Sequence, residues 1–377
     1  MHDFQQGGRL LARDFCLNGA RLENVRSYKY LGFILTPSGE INTGLQDLRD
    51  RGFKAFMKLK RDFGESFGSH VPTTLFILES LVKPIVLYCS DFWGCLRGPR
   101  SGPTANMYEY MCKYDPIEKL YSSICKQVLG VQKQTTNVGV LLELGLVPLY
   151  LCSVKFAVKN WERIRKGNAN ELLKSAYHEA AETGLPWDVR MKATLEVVGM
   201  GNFYVDQHSD KPIFVYGRVF GRMADIFHQN SFEKIRAADH KLRTYAIFKR
   251  DIGMEEYLIN VRNTSERKNI ARFRLSNHRL MIEVGRHRGL SRGERICPFC
   301  PGVVEDEYHF LFDCETYKNQ REYYLRQIFD SIPGFYSFGR DEKIEILMCK
   351  MDSNICKYIS NGLEIRAYLE SRPRLPQ

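Results

Sequence analysis

Three cysteines and one histidine stand in "CPFCPGVVEDEYHFLFDC", the stretch from Cys297 to Cys314. Written as spacing it is C-x2-C-x8-H-x4-C, with Cys297, Cys300, His309 and Cys314 as candidate metal ligands. Thiolate sulfur and imidazole nitrogen are donors that zinc accepts, four at a time in a tetrahedron. A C-x2-C pair grips one metal from both sides of a tight turn, which Pro298 and Gly302 favour. His309 and Cys314 then supply the other two ligands from a later turn or short helix, with Phe310 and Phe312 as a miniature core. So short a loop buries too little apolar surface to fold unaided, and the expectation is a structural zinc. Four protein ligands close the shell and leave no position for a catalytic water. The competing readings are four unrelated residues that meet by chance, or a disulfide among the three cysteines.

The elements that must position such a site belong to a chain of 377 residues, a length that suggests roughly two or three domains. Its apolar content of 44% is enough for a buried core. The net charge of +11 and a pI near 9.0 point to a polyanionic partner, nucleic acid before an acidic membrane surface. Eleven cysteines are an odd number, and the opening "MHDFQQGGRLLARDF" lacks the apolar core of a secretory signal. The most apolar stretch, "LFILESLVKPIVLYCSDFWGCL", is interrupted by Glu79, Lys83 and Asp91, which speaks against a membrane span. An intracellular, reducing compartment is therefore expected.

Residues 1–40 read as β. Asn18-Gly19 lies between short apolar segments, a hairpin signal because both residues tolerate positive φ. "VRSYKYLGFILT" reads as one further strand, stopping at "PSGE". From residue 42 the period turns helical, with Leu45, Leu48, Gly52, Phe56, Leu59 and Phe63 on one stripe. Arg51, Lys54, Lys58 and Arg61 share another face, either as a solvated surface or as cations spaced to follow a phosphate backbone. Asp115, Pro116 and Gly130 bracket one later helix, and Pro148 and Gly167 another. "NANELLKSAYHEAAETG" and "SFEKIRAADHKLRTYAIFKRDIG" read as two more, while "WGCLRGPRSGPTANMY" and residues 199–217 read as irregular.

Residues 262 to 295 carry ten cations, nine of them arginine, against three glutamates. Arg272, Arg274, Arg279, Arg286 and Arg288 fall within this stretch. Arginine suits bidentate phosphate contact, whereas surface solvation more often employs lysine, so phosphate contact and plain solvation both stay open.

The knuckle and its flank, "GERICPFCPGVVEDEYHFLFDCETYKNQR", resemble the zinc-binding segment near the C-terminus of reverse transcriptases of LINE-type (non-LTR) retrotransposons. "KLRTYAIFKRDIGMEEYL" and "ARFRLSNHRLMIEVGRHRG" resemble the stretch before it, and "NVRSYKYLGFILTPSGEI" the primer-gripping segment after the polymerase palm. "LVKPIVLYCSDFWG" and "CKQVLGVQKQTTNVGVLLELGLVPL" resemble the thumb and the region beyond, so the likeness spans nearly the whole chain in the expected order. It implies Tyr28, Lys29, Tyr30, Leu31 and Gly32 beside a primer terminus, with Arg51, Lys54, Lys58 and Arg61 along the template-primer duplex. The arginine-rich stretch and the knuckle would hold element RNA or target DNA.

The family's polymerase chemistry needs a Tyr/Phe-x-Asp-Asp turn holding two magnesium ions. No Asp-Asp dipeptide occurs in this sequence, and the resemblance implies a part that lacks the family's fingers and palm. The expectation is a mainly α chain that binds nucleic acid but does not polymerise. It divides into a β remnant of the palm (1–40), a helical thumb and connector (41–200), a basic helical region (217–295) and a zinc-binding segment with terminal helices (296–377). The alternative is a host-derived, zinc-dependent RNA-binding or protein-interaction module.

Overall fold

Helical periodicity dominates the sequence, and the fold follows it. The computed structural model describes residues 15–98, 106–166, 169–205, 214–237 and 241–371. Within them the fold is mainly α, with two small antiparallel strand pairs near the start. No described helix is long and apolar enough to cross a membrane. Two compact units share the chain. Among the described residues, one gathers the segments 15–62, 76–121 and 147–227; the other gathers 63–75, 122–146 and those from 228 to 371. Each unit thus interleaves stretches that are distant in the linear segmentation.

In the first unit, Cys16–Leu17 pairs with Ala20–Arg21 across Asn18 and Gly19, both at positive φ (50° and 80°). "VRSYKYLGFILT" is not one strand. Leu31 and Gly32 also take positive φ (45° and 89°), folding Tyr28–Tyr30 back against Phe33–Leu35 as a second hairpin. Phe33 is buried because Gly44 leaves room for its ring: a Cβ at 44 would lie 2.4 Å from it. The Asn42–Phe63 helix buries Leu45, Leu48, Gly52 and Phe56, but the stripe fades toward its end, where Phe63 is exposed.

Asp115 caps the Pro116–Leu129 helix by accepting from Glu118 N at 2.7 Å. The same carboxylate accepts from Arg97 Nε at 2.8 Å, and Arg97 Nη1 donates to Ser153 Oγ at 2.9 Å. Glu118 is wholly buried and accepts from the backbone N–H groups of Leu149 and Tyr150 at 3.0 and 2.9 Å. A carboxylate there meets the positive end of the Leu149–Arg165 helix. Burial nevertheless pushes Glu118 up to about 7, with Arg97 acting against it.

Asn170 and Gly184 cap the Glu171–Thr183 helix at its two ends, within a stretch that the sequence marks as helical. The Gly167 stop and most of the loop after Gly98 lie outside the described residues. "SFEKIRAADHKLRTYAIFKRDIG" is not one helix. Its first residues finish a longer helix, Val215–Arg236, and among the described residues of the stretch Tyr245–Phe248 alone is helical further on. Gly217 and Gly221 sit inside that longer helix, facing open space.

Candidate metal centre

The local chain is built to bring four donors to one point. A two-residue β-bridge, Ile296 to Val304, closes the first loop, and Cys297 N donates to Val303 O at 2.7 Å. Val303 N donates in turn to Cys300 O, with Gly302 at a φ of 77° completing the knuckle. His309 and Cys314 pose a harder problem. Five steps around an ordinary α-helix leave two side chains about 140° apart, since each residue turns about 100°. The His309–Asp313 segment is instead a π-turn, closed by Cys314 N donating to His309 O at 2.8 Å. Widening the turn returns residue 314 to the face of residue 309. Asp306 starts this turn by accepting from His309 N at 2.9 Å.

The result is a cluster in which the donor atoms of Cys297, Cys300, His309 and Cys314 all lie within 4.8 Å of one another. Cys297, His309 and Cys314 are buried and Cys300 is half-buried. All the cysteines are free thiols, and the 3.7 Å between the Cys300 and Cys314 sulfurs is far beyond a disulfide bond. Apart from the Cys314 sulfur beside it, neither ring nitrogen of His309 has a hydrogen-bond partner among the described residues. A buried imidazole in that state is costly unless it ligates. The set can hold one metal ion.

Proton sharing within the cluster favours a thiolate at Cys314. Its thiol is drawn down by the hydrogen bond from Cys297, then by His309, against burial. The same hydrogen bond, with burial, pushes the Cys297 thiol up. Burial opposes a charge on His309, but the neighbouring Cys314 sulfur outweighs it and raises the imidazole.

An acidic triplet just before His309 ties the knuckle to its surroundings. Glu305 Oε2 accepts from Arg366 Nη2 at 2.8 Å and from Met281 N at 2.7 Å, while its other oxygen lies 3.7 Å from the Cys297 sulfur. Asp306 takes Arg340 at 2.7 Å. Glu307 takes Arg243 at 2.8 Å and His278 at 3.1 Å; these partners outweigh burial and hold its carboxyl down to about 2. Arg366 is buried and also stacks over Phe299, between the first two cysteines, at 5.1 Å. Such outer contacts orient metal ligands and tune their charge.

The Ser353–Ser371 helix completes the support. Tyr358 Oη donates to Phe310 O at 2.6 Å, occupying a carbonyl of the π-turn. Gly362 lets the Phe310 ring approach, since a Cβ there would lie 2.6 Å from it. Arg321 donates to Cys314 O at 3.1 and 3.2 Å. Arg321 is seven residues from Cys314, but Tyr358 and Arg366 lie far along the chain from the knuckle. The one local sign of them is the run Glu305-Asp306-Glu307, three acids too many for a buried loop without cations.

The other expected contact residues divide sharply. Tyr28, Tyr30 and Leu31 are exposed on the second hairpin. Gly32 makes its turn, and Gly32 O accepts from Arg51 at 2.9 Å. Asp47 pairs with Lys29 at 3.5 Å and with Arg51 at 3.1 Å, and the Lys29 side chain stays 53% exposed. Lys54, Lys58 and Arg61 are exposed.

In the arginine-rich stretch the structure corrects the sequence reading. Arg274 is no surface group: it is 2% exposed, with Nε 2.6 Å from Glu143, Nη1 donating to Met348 O at 2.9 Å and a further ion pair to Glu255. A fully desolvated guanidinium held by two carboxylates cannot reach a phosphate. Arg272 is half-buried and donates to Gly130 O at 2.9 Å; Arg286 is held by Glu283 at 2.9 Å. Arg279 and Arg288 remain exposed. The five therefore do not form one basic face. No family model matches the chain, and neither a curated protein nor a solved structure matches it.

Proposed function

We propose that this chain binds nucleic acid as the post-palm part of a LINE-type reverse transcriptase, and that its knuckle holds one structural zinc. The observation that carries the reading is the gathering of Cys297, Cys300, His309 and Cys314 into one donor cluster inside the segment that resembles that family. Two Zn–S bonds of about 2.3 Å at a tetrahedral angle set their sulfurs about 3.8 Å apart. The 3.7 Å between Cys300 and Cys314 accords with that edge. Three thiolates and one imidazole leave no open coordination position, so the metal's role is to hold the fold.

Exposed Lys54, Lys58, Arg61, Arg279 and Arg288 supply phosphate contacts, which are electrostatic and salt-dependent. Tyr28, Tyr30 and Leu31 offer an apolar hairpin surface beside a primer end. The sequence has no Asp-Asp pair of the kind that holds two magnesium ions for nucleotide transfer in that family. The test is binding of the zinc-loaded chain to RNA, DNA and RNA–DNA duplex across a salt series. Lys54→Glu with Lys58→Glu should flatten the log-log salt slope by about 1.8 on a duplex, two contacts at about 0.9 each. A zinc-loaded chain that binds none of the three would turn the reading toward a protein-interaction module.

A further inference from the structure

Along the Leu149–Arg165 helix of the first unit, Lys155, Lys159 and Arg163 recur at four-residue steps. Such steps advance about 6 Å and keep side chains near one face. Phe214, and Tyr216 in the first turn of the Val215–Arg236 helix, lie beside that face. Lys155 Nζ lies 6.0 Å from the Tyr216 ring, Lys159 Nζ 5.8 Å from the same ring and Lys166 Nζ 5.8 Å from Phe214. Lys159, Arg163, Phe156 and the two facing aromatics line a solvent-open cleft of ≈ 850 Å³.

Charge and exposure narrow what the cleft suits. Of its acids, Glu79 pairs with Lys83 at 2.8 Å and Glu162 with Lys166 at 2.6 Å, leaving Asp91 as the third. Among the described residues none of Lys155, Lys159 and Arg163 has a carboxylate partner, so cations are in excess. Phe214 is 67% exposed and Phe156 41%, large apolar rings left in water along a cationic row. A duplex has no free base faces to offer such rings, and an acidic peptide would engage the cations alone. Unpaired bases on a phosphate backbone use both.

We propose that this cleft binds a single strand of nucleic acid, its phosphates along Lys155, Lys159 and Arg163 and its bases against Phe156, Phe214 and Tyr216. This deepens the nucleic-acid reading above while relying on residues that reading does not use. The probe is a fluorescent oligouridylate of about 12 nucleotides, within the range a single-strand groove covers. Full-length chain should bind it, and Lys159→Glu with Arg163→Glu should flatten the salt slope by about 1.4, two contacts at about 0.7 each. Phe214→Ala with Tyr216→Ala should weaken binding about tenfold or more with the slope kept. Both variants should bind an RNA duplex of equal length as the parent does. Thermal melts check folding, and Lys159→Gln with Arg163→Gln repeats the charge test should the reversal unfold the unit. Photocrosslinks from 4-thiouridine should map to peptides containing Phe156, Phe214 or Tyr216.

The proposal is overturned if folded cleft variants bind the oligouridylate like the parent, if crosslinks map elsewhere, or if polyglutamate competes as well as unlabelled oligouridylate. Should Lys54→Glu with Lys58→Glu weaken binding while the cleft variants do not, the cleft falls and the proposed function stands. A parent chain that binds neither strand nor duplex removes both.

Discussion

Replacing Arg274 with methionine separates a structural arginine from a phosphate-binding one. The guanidinium is buried between Glu143, itself 0% exposed, and Glu255, and stacks 4.4 Å from the Phe248 ring. Methionine fills much of the volume but takes the guanidinium from Glu143, leaving a buried carboxylate with the Tyr257 hydroxyl 2.8 Å away and no cation in place of Arg274. Removing one partner of a buried pair costs about 3–5 kcal/mol. For a domain of about 150–250 residues, each kcal/mol lowers the melting temperature by about 2–4 °C, so a fall of roughly 6–20 °C is expected. The assay is thermal and urea unfolding of the variant beside Arg274→Met/Glu143→Gln. The double change removes the stranded charge, so it should recover part of the loss. Arg279→Glu with Arg288→Glu, on exposed side chains, should change stability by no more than about 0.5 kcal/mol per site while weakening RNA binding. An Arg274→Met chain as stable as its parent but defective in RNA binding would refute the buried-pair account.

Two further expectations rest on other buried carboxylates. Glu118, raised to about 7 from an ordinary 4.5, favours the folded state most below pH 4.5, and that contribution is lost as pH rises through 7. The shift amounts to about 3 kcal/mol, so Glu118→Gln should flatten the stability-versus-pH curve between those values; a curve of unchanged slope would show that Glu118 titrates normally. Arg366→Met leaves Glu305 uncompensated beside the cluster and should lower metal affinity about 10- to 100-fold, read by competition with a chelator. Unchanged affinity would reduce Arg366 to packing.

What the sequence discloses about this fold is local. Asn18-Gly19 announces its hairpin because both residues accept positive φ, and Asp115 announces a helix start because its oxygen reaches an N–H three residues on. The four candidate ligands fall within 18 residues, so their spacing can be read directly. Leu31-Gly32 hides its turn, since a leucine at positive φ is uncommon and the flanking residues continue a β pattern. The Val215–Arg236 helix is masked by Gly217 and Gly221, which lower helix propensity but meet no neighbour that forbids them. Arginine count could not tell Arg274 from Arg279. The difference lies in Glu143, 131 positions away along the chain, and a composition window does not see it. The knuckle's support is likewise remote: Arg243, Arg340 and Arg366 answer the three acids from separate places in the sequence.

X-ray absorption at the zinc edge, with metal analysis of the purified full-length chain, tests the metal centre most directly. About one zinc per chain is expected, with a first shell of three sulfurs at about 2.3 Å and one nitrogen at about 2.0–2.1 Å, lost in Cys300→Ser. A chain purified without zinc, a shell of oxygen and nitrogen, or a Cys300→Ser variant with full occupancy and an unchanged shell would contradict it.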